Sequence, residues 1–210
     1  MGCLGMSASA AGRNTTGASK FFTREGVYFA NVDSLWISRI IGKIRNEIAD
    51  LEIKFFGKEV MFVIDSKSSF FERFIELIMD FNKHSLLFGL PHKAIVFKES
   101  AISSFENNVN IHISKEYFSA KAKLKDFDLA SVLVNQSLYE EKSLVFSKYC
   151  VDYQGERVLK ISKRPIAQIA LQGMKNSINN SFNKIGIDDF SSPFSKILNN
   201  TLKFVEAQNV

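Results

Sequence analysis

Cysteine, proline and histidine are scarce in this chain, and each scarcity excludes something. Two cysteines in 210 residues, Cys3 and Cys150, share no spacing motif. That argues against a disulfide framework and against a zinc site, and it makes a reducing cytoplasm the expected location. With three prolines and 23% charged residues, the chain does not have the composition of a disordered protein. His84, His92 and His112 lack a ligand spacing such as i, i+4, so no metal role is expected of them. No run reaches the ~18 apolar residues of a membrane-spanning helix. The first residues lack the charged region and apolar run of a secretory signal.

Phenylalanine, by contrast, is abundant. Twenty of them in a chain that is 46% hydrophobic predict one sizeable core, either strongly aromatic or with an apolar face left for a partner. The net charge of +5 is dispersed, and its densest run, Lys121 to Lys125 (KAKLK), reads as a solvated helix face rather than a nucleic-acid stripe. The first 20 residues are small and polar, and residues 1–22 are expected to form a mobile tail. Gly2 and Cys3 are acceptors for myristate and palmitate in a eukaryote, but Met6 stands where Ser or Thr is preferred. A membrane partner is therefore expected only if the N-terminus is lipidated.

The order of elements carries more information. Val27 to Val32 reads as a strand. Leu35, Trp36, Ile40, Ile41, Ile44 and Ile48 follow at helical spacing. Leu51 to Phe56 and Val60 to Ile64 flank Gly57-Lys58 as a hairpin, with Gly supplying the positive φ of a tight turn. Phe70, Phe71, Phe74, Leu77, Ile78 and Phe81 predict a long helix, capped by Ser68 or Ser69 and ended by Gly89. Lys93 to Phe97 is a strand, residues 106–114 contain another, and a helix spans Glu116 to Phe127. Leu129 to Asn135, Ser143 to Tyr153 and Val158 to Lys163 read as further strands, the last two separated by a turn at Gln154 to Arg157. Two helices follow Pro165, with Pro193 at the start of the second. These elements predict an α/β (α+β) sandwich with a β-α-β-β-α-β core, its helices on one face of a mainly antiparallel sheet. Residues 23–164 form the domain, and residues 165–210 a helical extension packing on its outside.

This order, with the stretches ENNVNIHISKEYFSAKAKLKDFDLASVLV and ILNNTLKFVE, resembles the class III nucleotide cyclase catalytic domain, and more closely its degenerate bacterial relatives. The resemblance covers roughly Val27 to Asn135 and implies a ferredoxin-like core. In cyclases the first strand ends in a pattern like F-A-D-I, whose Asp binds metal; here Phe29, Ala30, Asn31 and Val32 stand in its place. The cyclase hairpin pattern K-x-x-G-D, with a purine-contacting Lys and the second metal Asp, is matched by Lys54, Phe55, Phe56, Gly57 and Lys58. Both carboxylates are thus replaced. At ~4 Å and an effective dielectric near 20, one unit charge is worth about 4 kcal/mol, and at Lys58 its sign has reversed. The helix from Glu116 to Phe127 also lacks the Asn and Arg of the transition-state pattern N-x-x-x-R, and its lysines cannot reproduce the planar guanidinium fork.

The resemblance therefore implies a cyclase fold without cyclase chemistry: a regulatory, binding or dimerisation module with no catalytic residue, metal or cofactor. Because cyclases form their sites between two subunits, it also implies a homodimer or a related subunit as partner. The expected dimer face carries the hairpin and the phenylalanine-rich helix Ser69 to His84. Lys54, Lys58, Asn31 and Asp33 are the candidate nucleotide-binding residues. The two lysines are more readily read as exposed hairpin charges that blunt a sheet edge. The competing expectation is an active cyclase or other nucleotidyl enzyme, with metal held by Asp33 and Asp65. Cys150 has no partner motif for catalysis and reads as a small buried thiol.

Overall fold

The computed structural model describes residues 24–30, 34–56, 59–65, 67–90, 92–99, 115–184 and 193–209. The tail at 1–22, the expected strand within 106–114, Asn31, Asp33, Gly57 and Lys58 lie outside the described residues.

Alternating apolar segments build one seven-stranded sheet. Its strands are β1 (Arg24–Ala30), β2 (Glu52–Phe56), β3 (Glu59–Asp65), β4 (Lys93–Glu99), β5 (Val132–Val134), β6 (Cys150–Tyr153) and β7 (Glu156–Leu159). They lie in the order β2-β3-β1-β4-β5-β7-β6. The first four form an antiparallel array with β1 between β3 and β4. Strand β5 then joins β4 in parallel, and β7 and β6 continue antiparallel.

The helices are α1 (Ser34–Glu47), α2 (Phe71–Leu87), α3 (Lys115–Asp126), α4 (Gln136–Glu141), α5 (Ser143–Tyr149), α6 (Gln168–Lys184) and α7 (Pro193–Glu206). They cover both faces of the sheet, not one. On the first face Val60, Phe62, Ile64, Ala94 and Val96 pack against Phe74 and Ile78 of α2, Ile44 of α1 and Phe146 of α5. On the second, Met61, Val63, Ile95, Phe97 and Leu133 pack against Tyr117, Ala120 and Leu124 of α3. A third buried cluster joins Val158 and Leu86 to Met174 and Ile178 of α6 and Phe204 and Val205 of α7. Each fully buried large side chain of this kind contributes roughly 1.5–3 kcal/mol.

Two local expectations are corrected. Ser143 to Tyr149 is helical, and only Cys150–Tyr153 is strand; Phe146 and Tyr149, three apart, are both fully buried, a helical and not an alternating pattern. Strand β5 is only three residues long: Leu129 to Ser131 bend before it, and Asn135 ends it, its side chain accepting the Ser137 N–H at 3.0 Å as the N-cap of α4. Ser68 also differs from its expected role. It accepts the Phe70 N–H at 3.1 Å in the turn before α2, whose N-cap position is Phe70 and carries no side-chain cap.

The phenylalanines of α2 face inward. Phe71, Phe74 and Phe81 are at most 4% exposed and belong to the core, whereas Phe70 at the helix start is 40% exposed.

Candidate functional site

Strand register defines two ends of the sheet. At one end Phe55, Val60, Phe29, Ala94 and Val132 lie in a single row across five strands, and Ala30 is registered opposite Lys93. The β2–β3 turn, the C-terminus of β1 and the start of β4 therefore share this end. At the opposite end Arg24 lies between Asp65 and Glu99. Glu59 and Asp65 stand six residue steps apart along β3, about 20 Å of strand.

That register separates the sequence candidates. Lys54 lies in β2 opposite Met61, one residue before the row of Phe55. Asp65 is at the far end, exposed, with a carboxylate oxygen accepting the Lys67 N–H at 2.8 Å in a local turn. It does not share the hairpin end of the sheet, so the geometry does not bring the Asp65 carboxylate beside the end of β1.

The described groups at the hairpin end are occupied in building it. The half-buried ammonium of Lys93 donates to the carbonyl oxygens of Phe127 at 2.9 Å and Lys125 at 3.2 Å. A cation there satisfies carbonyls left open at the end of α3 and complements the helix dipole. Burial lowers the Lys93 pKa, opposed by the nearby Asp128 and Asp126 carboxylates. The segment after α3 is held by α7. Thr201 Oγ1 accepts the Ala130 N–H at 3.0 Å, Asn200 Nδ2 donates to the Asp128 carbonyl at 3.0 Å, and Lys196 pairs with the Asp128 carboxylate. None of these residues stood out in the sequence, because their partners, backbone groups and the Asp128 carboxylate, are brought near only by the tertiary fold.

Beneath this end lies a buried polar cluster. Asn82 Nδ2 donates to Ser131 Oγ at 3.3 Å, both residues being fully buried. His92 stacks obliquely on Phe81 with ring centroids 4.7 Å apart, and burial pushes its pKa down to about 4. Its imidazole is neutral at pH 7.

Mg²⁺ requires hard oxygen ligands in near-octahedral array. Lys93 is registered opposite Ala30, with the Asp126 and Asp128 carboxylates near its ammonium, and Asp65 lies at the opposite end of the sheet. Among the described residues no three His, Cys, Asp or Glu side chains converge.

A second polar arrangement lies on the outside of α2. Tyr149 Oη is 2.7 Å from Glu72 and 2.9 Å from Glu76, which in turn pair with Lys148 at 3.0 Å and Lys163 at 3.1 Å. Arg73 joins Glu76 at 3.2 Å to Glu47 of α1 at 2.5 Å. The Tyr149 hydroxyl and Lys148 lower the Glu72 pKa, and Lys163 above all lowers that of Glu76. Burial and the two carboxylates raise that of Tyr149. The network ties α1, α2, α5 and the segment after β7 into one wall. Glu72 and Glu76 stand at i, i+4 in the sequence, but Lys148, Tyr149 and Lys163 lie more than 70 residues from them.

Among the described residues no helix is long and apolar enough to cross a membrane. No protein-family model, curated protein or solved structure matches the chain.

Proposed function

We propose that the chain is a nucleotide-cyclase-like domain that has lost the cyclase chemistry and serves as a binding, regulatory or dimerisation module. The observation that carries this reading is the register of the first four strands. The order β4-β1-β3-β2, all antiparallel with α1 and α2 in the two crossovers, is the arrangement expected of a split β-α-β, ferredoxin-like core. It supports setting the end of β1 beside the β2–β3 turn, where cyclases hold their metal carboxylates. The chain has Asn31 and Lys58 at those positions, and α3, KEYFSAKAKLKD, contains neither Asn nor Arg. A fold kept without its charge-neutralising groups retains value as a surface.

Class III cyclases work as dimers, so the partner proposed is a second copy or a related subunit. A stable isologous contact buries ~1,600 Å² in total. Sedimentation velocity over a range of roughly 1–50 μM, which brackets micromolar dissociation constants, tests this. A concentration-dependent shift from the 23.7 kDa species towards twice that mass supports the module reading. A protein that stays monomeric throughout, and captures neither itself nor a relative when immobilised, contradicts it.

A further inference from the structure

The outer face of α2 carries Arg73, Glu76, Asp80 and Lys83, spaced three, four and three residues apart and so aligned on one stripe about 15 Å long. Across from it runs the segment Ser162 to Pro165, and between them lies a cleft of about 590 Å³. That is within the ~300–1,000 Å³ range of small-molecule sites. Met79 and Pro165 contribute apolar lining.

The charges lining this cleft do not balance. Arg73, Lys83, Lys163 and Arg164 stand against Glu76 and Asp80. The Glu76 carboxylate is already shared by Arg73, Lys163 and Tyr149, so it is neutralised within the wall. Lys83 on α2 and Arg164 on the facing segment belong to no ion pair among the described residues. Two uncompensated cations on opposite walls of one cleft concentrate positive potential there. The Arg164 guanidinium adds a fork suited to phosphate oxygens.

We propose that this cleft binds a small molecule bearing a phosphate or polyphosphate group, with Lys83 and Arg164 closing on the anion from either side and Lys163 behind them. The cleft is separate from the hairpin end of the sheet and does not depend on the reading of that end. Asp80 would set the selectivity, since a ligand must place its anionic group towards Arg164 and away from this carboxylate.

Calorimetric titration of the full chain with inorganic pyrophosphate tests the proposal. Saturable one-site binding is expected, weakening with added salt. Lys83→Ala/Arg164→Ala should lower the affinity at least about tenfold while leaving the circular dichroism spectrum and melting temperature unchanged. Lys115→Ala/Lys125→Ala removes the same net charge from the exposed face of α3 and should change affinity less than about twofold. Three results overturn the proposal: no binding at millimolar pyrophosphate, equal losses in both double variants, or loss only in Lys58→Ala, which would assign the anion to the hairpin.

Discussion

Replacing Gly89 by alanine probes how closely α2 approaches α6. Gly89 ends α2 at φ +65°, with its N–H donating to the Leu86 carbonyl at 3.1 Å and the Leu90 N–H to that of Ser85 at 2.8 Å, the paired bonds of a Schellman cap. A side chain in this left-handed conformation costs roughly 1–2 kcal/mol. It would also collide with α6: an added Cβ would stand 2.8 Å from the Ser177 carbonyl carbon, in contact with that carbonyl's oxygen and with Ser181 Oγ. Ser181 can rotate away, but the Ser177 backbone cannot, so overpacking adds roughly 1–3 kcal/mol. The total is roughly 2–5 kcal/mol, or about 4–20 °C of melting temperature for a chain this size. Gly155 provides the control, because its φ is +78° and an added Cβ there meets nothing within 4 Å. Gly155→Ala should therefore show the strain alone, about 1–2 kcal/mol. Urea unfolding of both variants measures the difference. Equal losses would mean that α2 and α6 do not meet at Gly89 as described.

Three further outcomes follow from the buried and paired groups. Tyr149→Phe removes the hydroxyl between Glu72 and Glu76 and should cost about 1 kcal/mol at pH 7. Both carboxylates have pKa values lowered from 4.5, so their stabilisation is present above about pH 4.5 and lost as pH falls through the folded values. Acid titration followed by circular dichroism should accordingly place the variant's midpoint at higher pH than the parent's. His92 behaves differently: burial holds its folded pKa at about 4 against 6.5 unfolded, so its contribution, roughly 3 kcal/mol, is complete above pH 6.5 and fades as pH falls towards 4. His92→Phe should flatten stability between those values, and an unchanged slope would contradict a buried neutral imidazole. Burial also pushes the Cys150 thiol up to about 12. Ellman's reagent at pH 8 should therefore react with it slowly in the native protein and rapidly in urea.

The elements that periodicity could reveal were legible in the sequence. The apolar stripe of α2 at Phe74, Leu77, Ile78 and Phe81 is buried, β2 and β3 pair antiparallel as the expected hairpin arms, and Pro193 opens α7. The expectation of helices on one face only was wrong, although the unbroken apolar runs MFVI of β3 and AIVF of β4 carry the signal of a sheet covered on both, because a strand exposed on one face alternates instead. Short elements misled, since Ser143 to Tyr149 has an apolar run that suits a strand as well as a helix. The register was beyond local reading. Nothing near Asp65 in the chain reveals that it pairs with Arg24 and lies away from the hairpin tip. Lys93 likewise acquires its role only when α3 ends above it.

The central claim, a cyclase-like fold without cyclase chemistry, is tested most directly by measuring 3′,5′-cyclic nucleotide formation from ATP and GTP with Mg²⁺ or Mn²⁺, alongside Mn²⁺ binding. The parent protein should give no product above a mock preparation. Asn31→Asp/Lys58→Glu should bind Mn²⁺ more tightly, because it replaces an amide and a repulsive ammonium by two carboxylates. Turnover should still stay very low, since α3 supplies no Asn or Arg and losing one preorganised donor commonly costs ~10²–10³ in rate. Robust cyclisation by the parent protein, abolished by Asp33→Ala, would contradict the account and assign the metal to a shifted carboxylate.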